Sequence, residues 1–185
     1  MLHVCGFAAL ERDFNVLTFE GPGQPTVVHE QDLGSRHDWE QVVTPVVNHC
    51  EAVEDIDASR LGLIGLSFGG YLAPRAASFE PRIRAVVAID GIFDAHESVT
   101  NILSEKLRGL FEDRYMDAFN AATREAIEHD RALRWYIDQG LWSFGVSTPY
   151  EFLDRVLLYI RWRVSPTVLR APHSCARPQM ISLQP

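Results

Sequence analysis

Lysine is almost missing from this chain. Of 17 basic residues only Lys106 is a lysine, and arginine supplies the rest. Against 25 acidic residues they leave a formal charge of -8. A chain of that sign with no basic stripe is not built to bind nucleic acid, so no such partner is expected. The arginine bias itself has no functional account. Cysteine is scarce as well: Cys5, Cys50 and Cys175 are odd in number and far apart, which excludes a disulfide framework or a zinc knuckle. Each reads as a small buried hydrophobe or a spare thiol. His3, His29, His37, His49 and His129 are scattered without metal-ligand spacing, so no metal is expected. Long apolar runs are also missing, and none approaches the roughly 18–20 residues of a membrane span. Residues 1–10 have no basic start and no cleavage site before Glu11-Arg12. They read as a helix rather than a secretory signal, and a cytoplasmic, membrane-free protein is expected.

What is present is an ordinary globular composition, 46% hydrophobic and 23% charged, over 185 residues, enough for one real core. The chain is organised around Leu61-Gly62-Leu63-Ile64-Gly65-Leu66-Ser67-Phe68-Gly69-Gly70-Tyr71. An apolar run of strand character ends at Gly65, Ser67 follows between glycines, and residues 71–78 have helical potential. The order is strand, sharp turn, helix, with G-x-S-x-G at the turn. A serine at so tight a turn sits in strained backbone, and small residues on either side, Gly65 and Gly69, let strand and helix pass closely. Its hydroxyl is held clear of the sheet near the positive end of the helix, and the Phe68 N–H points where an oxyanion would form. A glycine-rich turn of this kind can also cradle phosphate, but neither G-x-G-x-x-G nor a Gly-Lys-Ser/Thr pattern is present.

Taken in order, residues 2–12 look helical and residues 14–19 look like a strand, broken by Glu20-Gly21-Pro22-Gly23-Gln24-Pro25. Residues 39–53 carry Val42, Val43, Val46, Val47, Cys50 and Val53 on one helical face. Pro45 there implies a start at Thr44 or a kink. Residues 57–60 form a loop in which Asp57, like Asp55, shapes the backbone. Residues 83–89 suit a strand buried on both faces. Strands alternating with helices at this spacing predict a mainly parallel sheet with helices on both faces, an α/β architecture. From residue 95 to residue 163 the pattern is helix after helix. The last starts at Thr148 as N-cap, Pro149 and Glu151, with Phe152, Leu153, Val156, Leu157 and Ile160 as its apolar face. Such a block after a strand reads as a cap over a pocket, the plainer alternative being a helical subdomain. The divisions expected are a partial core over residues 1–94, a cap over 95–164, a returning strand at 165–169 and an irregular tail over 170–185.

On these residues the chain resembles the α/β-hydrolase superfamily. More narrowly it resembles the branch containing 2,6-dihydropseudooxynicotine hydrolase and the fungal hydrolases that shorten polyketide chains. The resemblance rests on Asn15-Val16-Leu17-Thr18-Phe19-Glu20-Gly21-Pro22-Gly23-Gln24 and on Gly65 through Arg75. It extends through Arg82 to Gly91 and Gln139-Gly140-Leu141-Trp142, covering most of residues 1–169. It implies a partial α/β-hydrolase fold and hydrolysis of a carbon–carbon or ester bond in a small, polyketide-like or heterocyclic substrate, without a cofactor. Ser67 matches the family's nucleophile.

The resemblance also implies parts that do not match. Family members carry strands upstream of anything like Met1, including the loop that donates a second oxyanion N–H, and their acid and histidine follow the strand matched by residues 166–169. Here no Asp or Glu follows Asp154, and the late histidine is His173. The chain is therefore expected to be truncated at both ends and to turn over esters near background. Asp90 and Asp94, after the strand, with His96, are weaker candidates whose plainer reading is loop and surface. Glu20 is expected to orient the Gly-Pro-Gly turn. The competing readings are a catalytically incomplete fragment acting as a binding module, and an acyl transferase or thioesterase using the same turn. Exposed sheet edges invite self-association.

Overall fold

The structure, a computed structural model, describes residues 2–89, 91 and 95–159. The readings placed on residues 160–185, including the returning strand, the tail and Cys175, lie outside the described residues. The chain opens with a π-helical turn, Leu2–Gly6, that runs into α1 (Phe7–Leu10). Residues 14–20 then run without regular structure. The strand expected at 14–19 is not formed: among the described residues those backbone groups have no neighbouring strand to pair with, and β-propensity alone does not make a ladder. Phe14 and Leu17 are correspondingly exposed.

A helix not anticipated from the sequence follows, α2 (Pro25–Gln31), with proline in its first turn and Asp32 in the left-handed region at its end. Next comes α3 (Glu40–Ala52), which buries Val43, Val47 and Cys50. Pro45 neither starts nor ends it; the helix runs through, from Glu40. A short 3-10 turn, Ala58–Arg60, is capped by the Asp57 side chain and leads into β1 (Leu61–Leu66), α4 (Gly69–Phe79) and β2 (Ile83–Ile89).

The two strands are parallel, Leu61 opposite Ile83 and Leu66 opposite Ile89. A bulge near the start carries the register from Leu61–Ile83 to Gly62–Ala85, leaving Arg84 unpaired. Leu61, Leu63 and Ile83 therefore share the side that packs into the core with α4. On the opposite side Ile64, Val87 and Ile89 are exposed. β2 had been expected to be buried on both faces; among the described residues it is exposed along nearly its whole length.

After β2 come α5 (Ala95–Thr100), α6 (Glu105–Glu112), α7 (Met116–His129), α8 (Arg131–Phe144) and α9 (Pro149–Val156), then a 3-10 turn, Leu157–Tyr159. Side chains start three of them: Ser104 caps α6, Asp130 accepts the Ala132 and Leu133 N–H groups of α8, and Thr148 with Glu151 forms a reciprocal capping box on α9. One continuous core joins Val43, Tyr71 and Leu72 to Leu107, Phe119, Ile137, Phe152 and Tyr159, so the helices after β2 pack onto the strand–turn–helix unit. No described helix is long and apolar enough to cross a membrane.

Candidate active site

The turn between β1 and α4 holds its serine in a strained backbone conformation. Ser67 adopts φ 53°, a left-handed conformation that costs a non-glycine residue about 1–3 kcal/mol. Three backbone contacts hold it. The Ser67 N–H donates to the Ile89 carbonyl at 2.8 Å, the Gly70 N–H donates to the Ser67 carbonyl at 2.8 Å, and the Leu72 N–H reaches Phe68 at 3.1 Å. The Phe68 N–H, at the mouth of α4, has no acceptor among the described residues, as expected of a helix's first donors. Ser67 itself is exposed.

Gly65 and Gly69 turn out to do different things. A Cβ on Gly65 would lie 1.9 Å from the Gly69 carbonyl oxygen and 2.9 Å from the Ala73 Cβ. One on Gly69 would meet nothing within 4 Å. The close approach of strand and helix thus requires glycine at 65 and not at 69. The second tight position is Gly70, where a Cβ would fall 2.5 Å from the Gly91 Cα. Sequence reasoning missed that pair, because no local pattern relates Gly70 to Gly91; only the pairing of β1 with β2 does.

The Glu20-Gly21-Pro22-Gly23-Gln24 stretch is a clamp made of its own side chains. Gln24 accepts the Gly21 N–H at 2.6 Å and Glu20 accepts the Thr26 N–H at 2.8 Å, so the Glu20 carboxylate caps α2. Gly23, at φ 86°, leaves room for Ser35, whose N–H in turn donates to the Ser143 carbonyl at 2.8 Å. The segment 32–38 is thereby pinned to the end of α8, and His37 stands edge-on to Tyr159, ring centres 6.3 Å apart.

Tyr159 sits behind the turn. Its ring lies 5.3 Å from that of Phe68, 5.9 Å from Tyr71 and 5.6 Å from Phe144, and its backbone carbonyl accepts the Tyr71 hydroxyl. Phe68 stacks nearly parallel to Tyr71 and also meets Phe144. The helices after β2 thus reach the residue next to Ser67 through an aromatic group. Burial pushes the Tyr159 phenol well above the ordinary range, with the Ser35 side chain acting the other way. The Ser35 side chain lies close to the phenol, and among the described residues no partner meets strict hydrogen-bond geometry with the Tyr159 hydroxyl.

Other candidates fall apart from Ser67. Asp57 binds the Ser59 backbone and hydroxyl and Arg60, which hold its carboxyl below the usual range, and the Asp55 carbonyl accepts the Asn15 side chain. His3, His29, His37, His49 and His129 are all exposed, and no described group of three could hold a metal. His96 lies in α5, while Asp90, Asp94 and His173 are outside the described residues. Among the described residues no side chain hydrogen-bonds the Ser67 hydroxyl.

A strand, a strained serine turn and a helix, followed by a second strand parallel to the first, fit an α/β fold of hydrolase type, and the comparisons agree. The family profile for the alpha/beta hydrolase family matches residues 2–183, and the chain belongs to that family. It is 36% identical over 152 residues to hydrolase acrC of Aspergillus aculeatus, covering 79% of this chain and 35% of that protein. It is 33% identical over 162 residues to hydrolyase poxO of Penicillium oxalicum, covering 83% and 38%. With 20-hydroxy-prefusarin hydrolase FUS2 of Gibberella moniliformis it shares 36% over 151 residues, covering 78% and 36%. The chain thus spans little more than a third of the length of these fungal hydrolases.

Proposed function

We propose that this chain carries the nucleophile of a serine-dependent hydrolase acting on a carbon–carbon or ester bond of a small organic carbonyl compound, polyketide-like or heterocyclic. The single observation behind the reading is Ser67: exposed, at φ 53°, at the strand-to-helix turn. Its Oγ attacks the carbonyl carbon, and the Phe68 N–H donates to the oxyanion. The bond to the leaving carbon or oxygen then breaks, the leaving group takes the proton that Ser67 gave up to a base, and water frees the acyl group from Ser67. No cofactor enters this scheme. The fungal relatives support the substrate class, since one of them is named for hydrolysis of 20-hydroxy-prefusarin.

A second reading rests on a specific observation. A serine hydroxyl is a poor nucleophile without a base, and no described side chain hydrogen-bonds Ser67. That favours a unit which keeps the hydrolase fold and binds its ligand without turnover. A fluorophosphonate probe separates the two. Labelling of one residue per chain, seen by intact mass and lost in Ser67→Ala, supports the nucleophile. A chain that stays unlabelled while folded overturns it in favour of the binding unit.

A further inference from the structure

We propose that α8 carries an interface for a second copy of this chain, the two helices packing antiparallel about a twofold axis between residues 136 and 137. The face concerned is one stripe of six exposed side chains, Arg131, Arg134, Trp135, Asp138, Gln139 and Trp142. They alone line an open concavity of about 400 Å³, so no other described element borders it. The opposite side of α8, with Leu133, Ile137, Gly140 and Phe144, is buried. Trp135 is 67% exposed and Trp142 42% exposed. Interfaces are enriched in tryptophan and arginine, and two of each on one solvent-facing stripe mark a binding surface. None of the six belongs to the Ser67 turn.

The charges on the stripe select the occupant. Arg131 and Arg134 lie at the start of α8, the positive end of its dipole, and the last turn holds no basic residue. Both arginines are misplaced for their own helix, and an antiparallel copy sets the negative end of its α8 against them. Among the described residues neither arginine nor Asp138 forms an ion pair, and the Arg134 Nε–H donates to the Ile127 carbonyl at 3.0 Å. About the proposed axis every group finds a complement. Arg131 meets the partner's Trp142, a cation on an indole face. Arg134 meets the partner's Gln139 and donates to its amide oxygen, while the Trp135 indole N–H donates to the partner's Asp138. Each pairing occurs twice, because the axis is twofold. A parallel pair would instead set Arg131 on Arg131 and Asp138 on Asp138, like charge on like. The stripe is about 16 Å long, and the two α8 axes lie about 8–10 Å apart.

The test uses the full chain carrying Val87→Lys, which keeps the exposed side of β1 and β2 from contributing, in sedimentation equilibrium. A monomer–dimer equilibrium that stops at the dimer is expected, since a twofold contact uses up the face. Trp142→Arg should weaken the dimer at least ten-fold more than Trp142→Glu. In either variant the new side chain faces the partner's Arg131, repelled in the first and paired in the second. General repulsion between two copies of charge -8 predicts the reverse order, so the order identifies the contact. Adding Arg131→Glu to Trp142→Arg should restore the dimer. Both positions are exposed, so these substitutions leave the core intact. Equal weakening by the two substitutions at 142, the reverse order, or a double variant no tighter than Trp142→Arg would overturn the proposal. So would a Val87→Lys chain that stays monomeric at high concentration, which would leave the stripe to a different occupant.

Discussion

Adding one methyl group at two glycines four residues apart should give opposite results. In Gly65→Ala the new Cβ lies 1.9 Å from the Gly69 carbonyl oxygen and 2.4 Å from its carbon, both backbone atoms that no rotamer change can move aside. Relief requires β1 and α4 to separate by more than 1 Å, at the turn that already holds Ser67 in a left-handed conformation. Overpacking of a tight interior costs about 1–3 kcal/mol, and a backbone clash belongs at or above the top of that range. In Gly69→Ala the Cβ meets nothing within 4 Å, at the first residue of a helix, where alanine is at least as good as glycine. Both substitutions restrict the unfolded chain alike, by about 0.4–1 kcal/mol, so that contribution cancels in the comparison. For a chain of this size each kcal/mol moves Tm by about 2–4 °C. Gly65→Ala should therefore melt roughly 6–12 °C below Gly69→Ala by circular dichroism, with Gly69→Ala within a few degrees of wild type. Equal melting points, or the reverse order, would refute the steric account of the turn.

Glu80 offers a pH test. It is buried, and the Arg82 side chain, with Thr44 assisting, holds its carboxyl down at about 2 from 4.5. A depressed carboxylate contributes stability that is full above the ordinary value and lost as pH falls through the folded one. Wild type should accordingly exceed Glu80→Gln by about 1–3 kcal/mol near neutrality, with the gap closing between roughly pH 4.5 and 2 in urea titrations; a gap independent of pH would contradict this. The sheet offers a second test. Ile64, Val87 and Ile89 lie exposed on one side of β1 and β2, so we expect concentration-dependent association in sedimentation, weakened by Val87→Lys. A chain monomeric at high concentration would overturn that expectation.

How far the sequence could be read depended on how local each cause was. The strand–turn–helix around Ser67 was legible because an apolar run, a glycine and a helix-forming run stand side by side. The α9 start was legible for the same reason, as Thr148, Pro149 and Glu151 carry the cap within four residues. Residues 14–19 misled because they have strand composition, while a strand also needs a neighbour that composition does not report. The exposure of β2 was hidden likewise, since a run of Val, Ala and Ile looks the same whether or not a second layer covers it. Of the two expectations for Pro45, a start at Thr44 does not hold, since α3 begins at Glu40. Proline inside a helix is costly, yet α3 passes through it with Val43 and Val47 buried on either side, so tertiary packing outweighs the lost hydrogen bond. At the candidate site, Ser67 and Phe68 could be named from the motif. Gly91, Ser35, His37 and Tyr159 could not, because each is brought there by long-range packing.

The strained turn depends on the register of β2, and that register is set far from Ser67. The Ser67 N–H needs the Ile89 carbonyl at the end of the ladder, and Gly70 needs Gly91, two residues past it. A slip of one residue would move that carbonyl away and turn Val87 and Ile89 to the other face. The bulge at Arg84 fixes the ladder's start by letting Ile83 stay with Leu61 in the core while Ala85 pairs with Gly62. Just before it, Arg82 binds Glu80 at the end of α4 and Glu51 and Asn48 on α3. Arg75, within α4, binds Glu40 at the start of α3, two bonds of 3.2 Å between side chains largely removed from solvent. These ion pairs anchor α3, α4 and the entry to β2 as one unit. By fixing where β2 begins, they fix where Ile89 ends, and so whether a serine can be held at φ 53°. The charged groups of this region act on the site through register, at the opposite end of the strand from the chemistry.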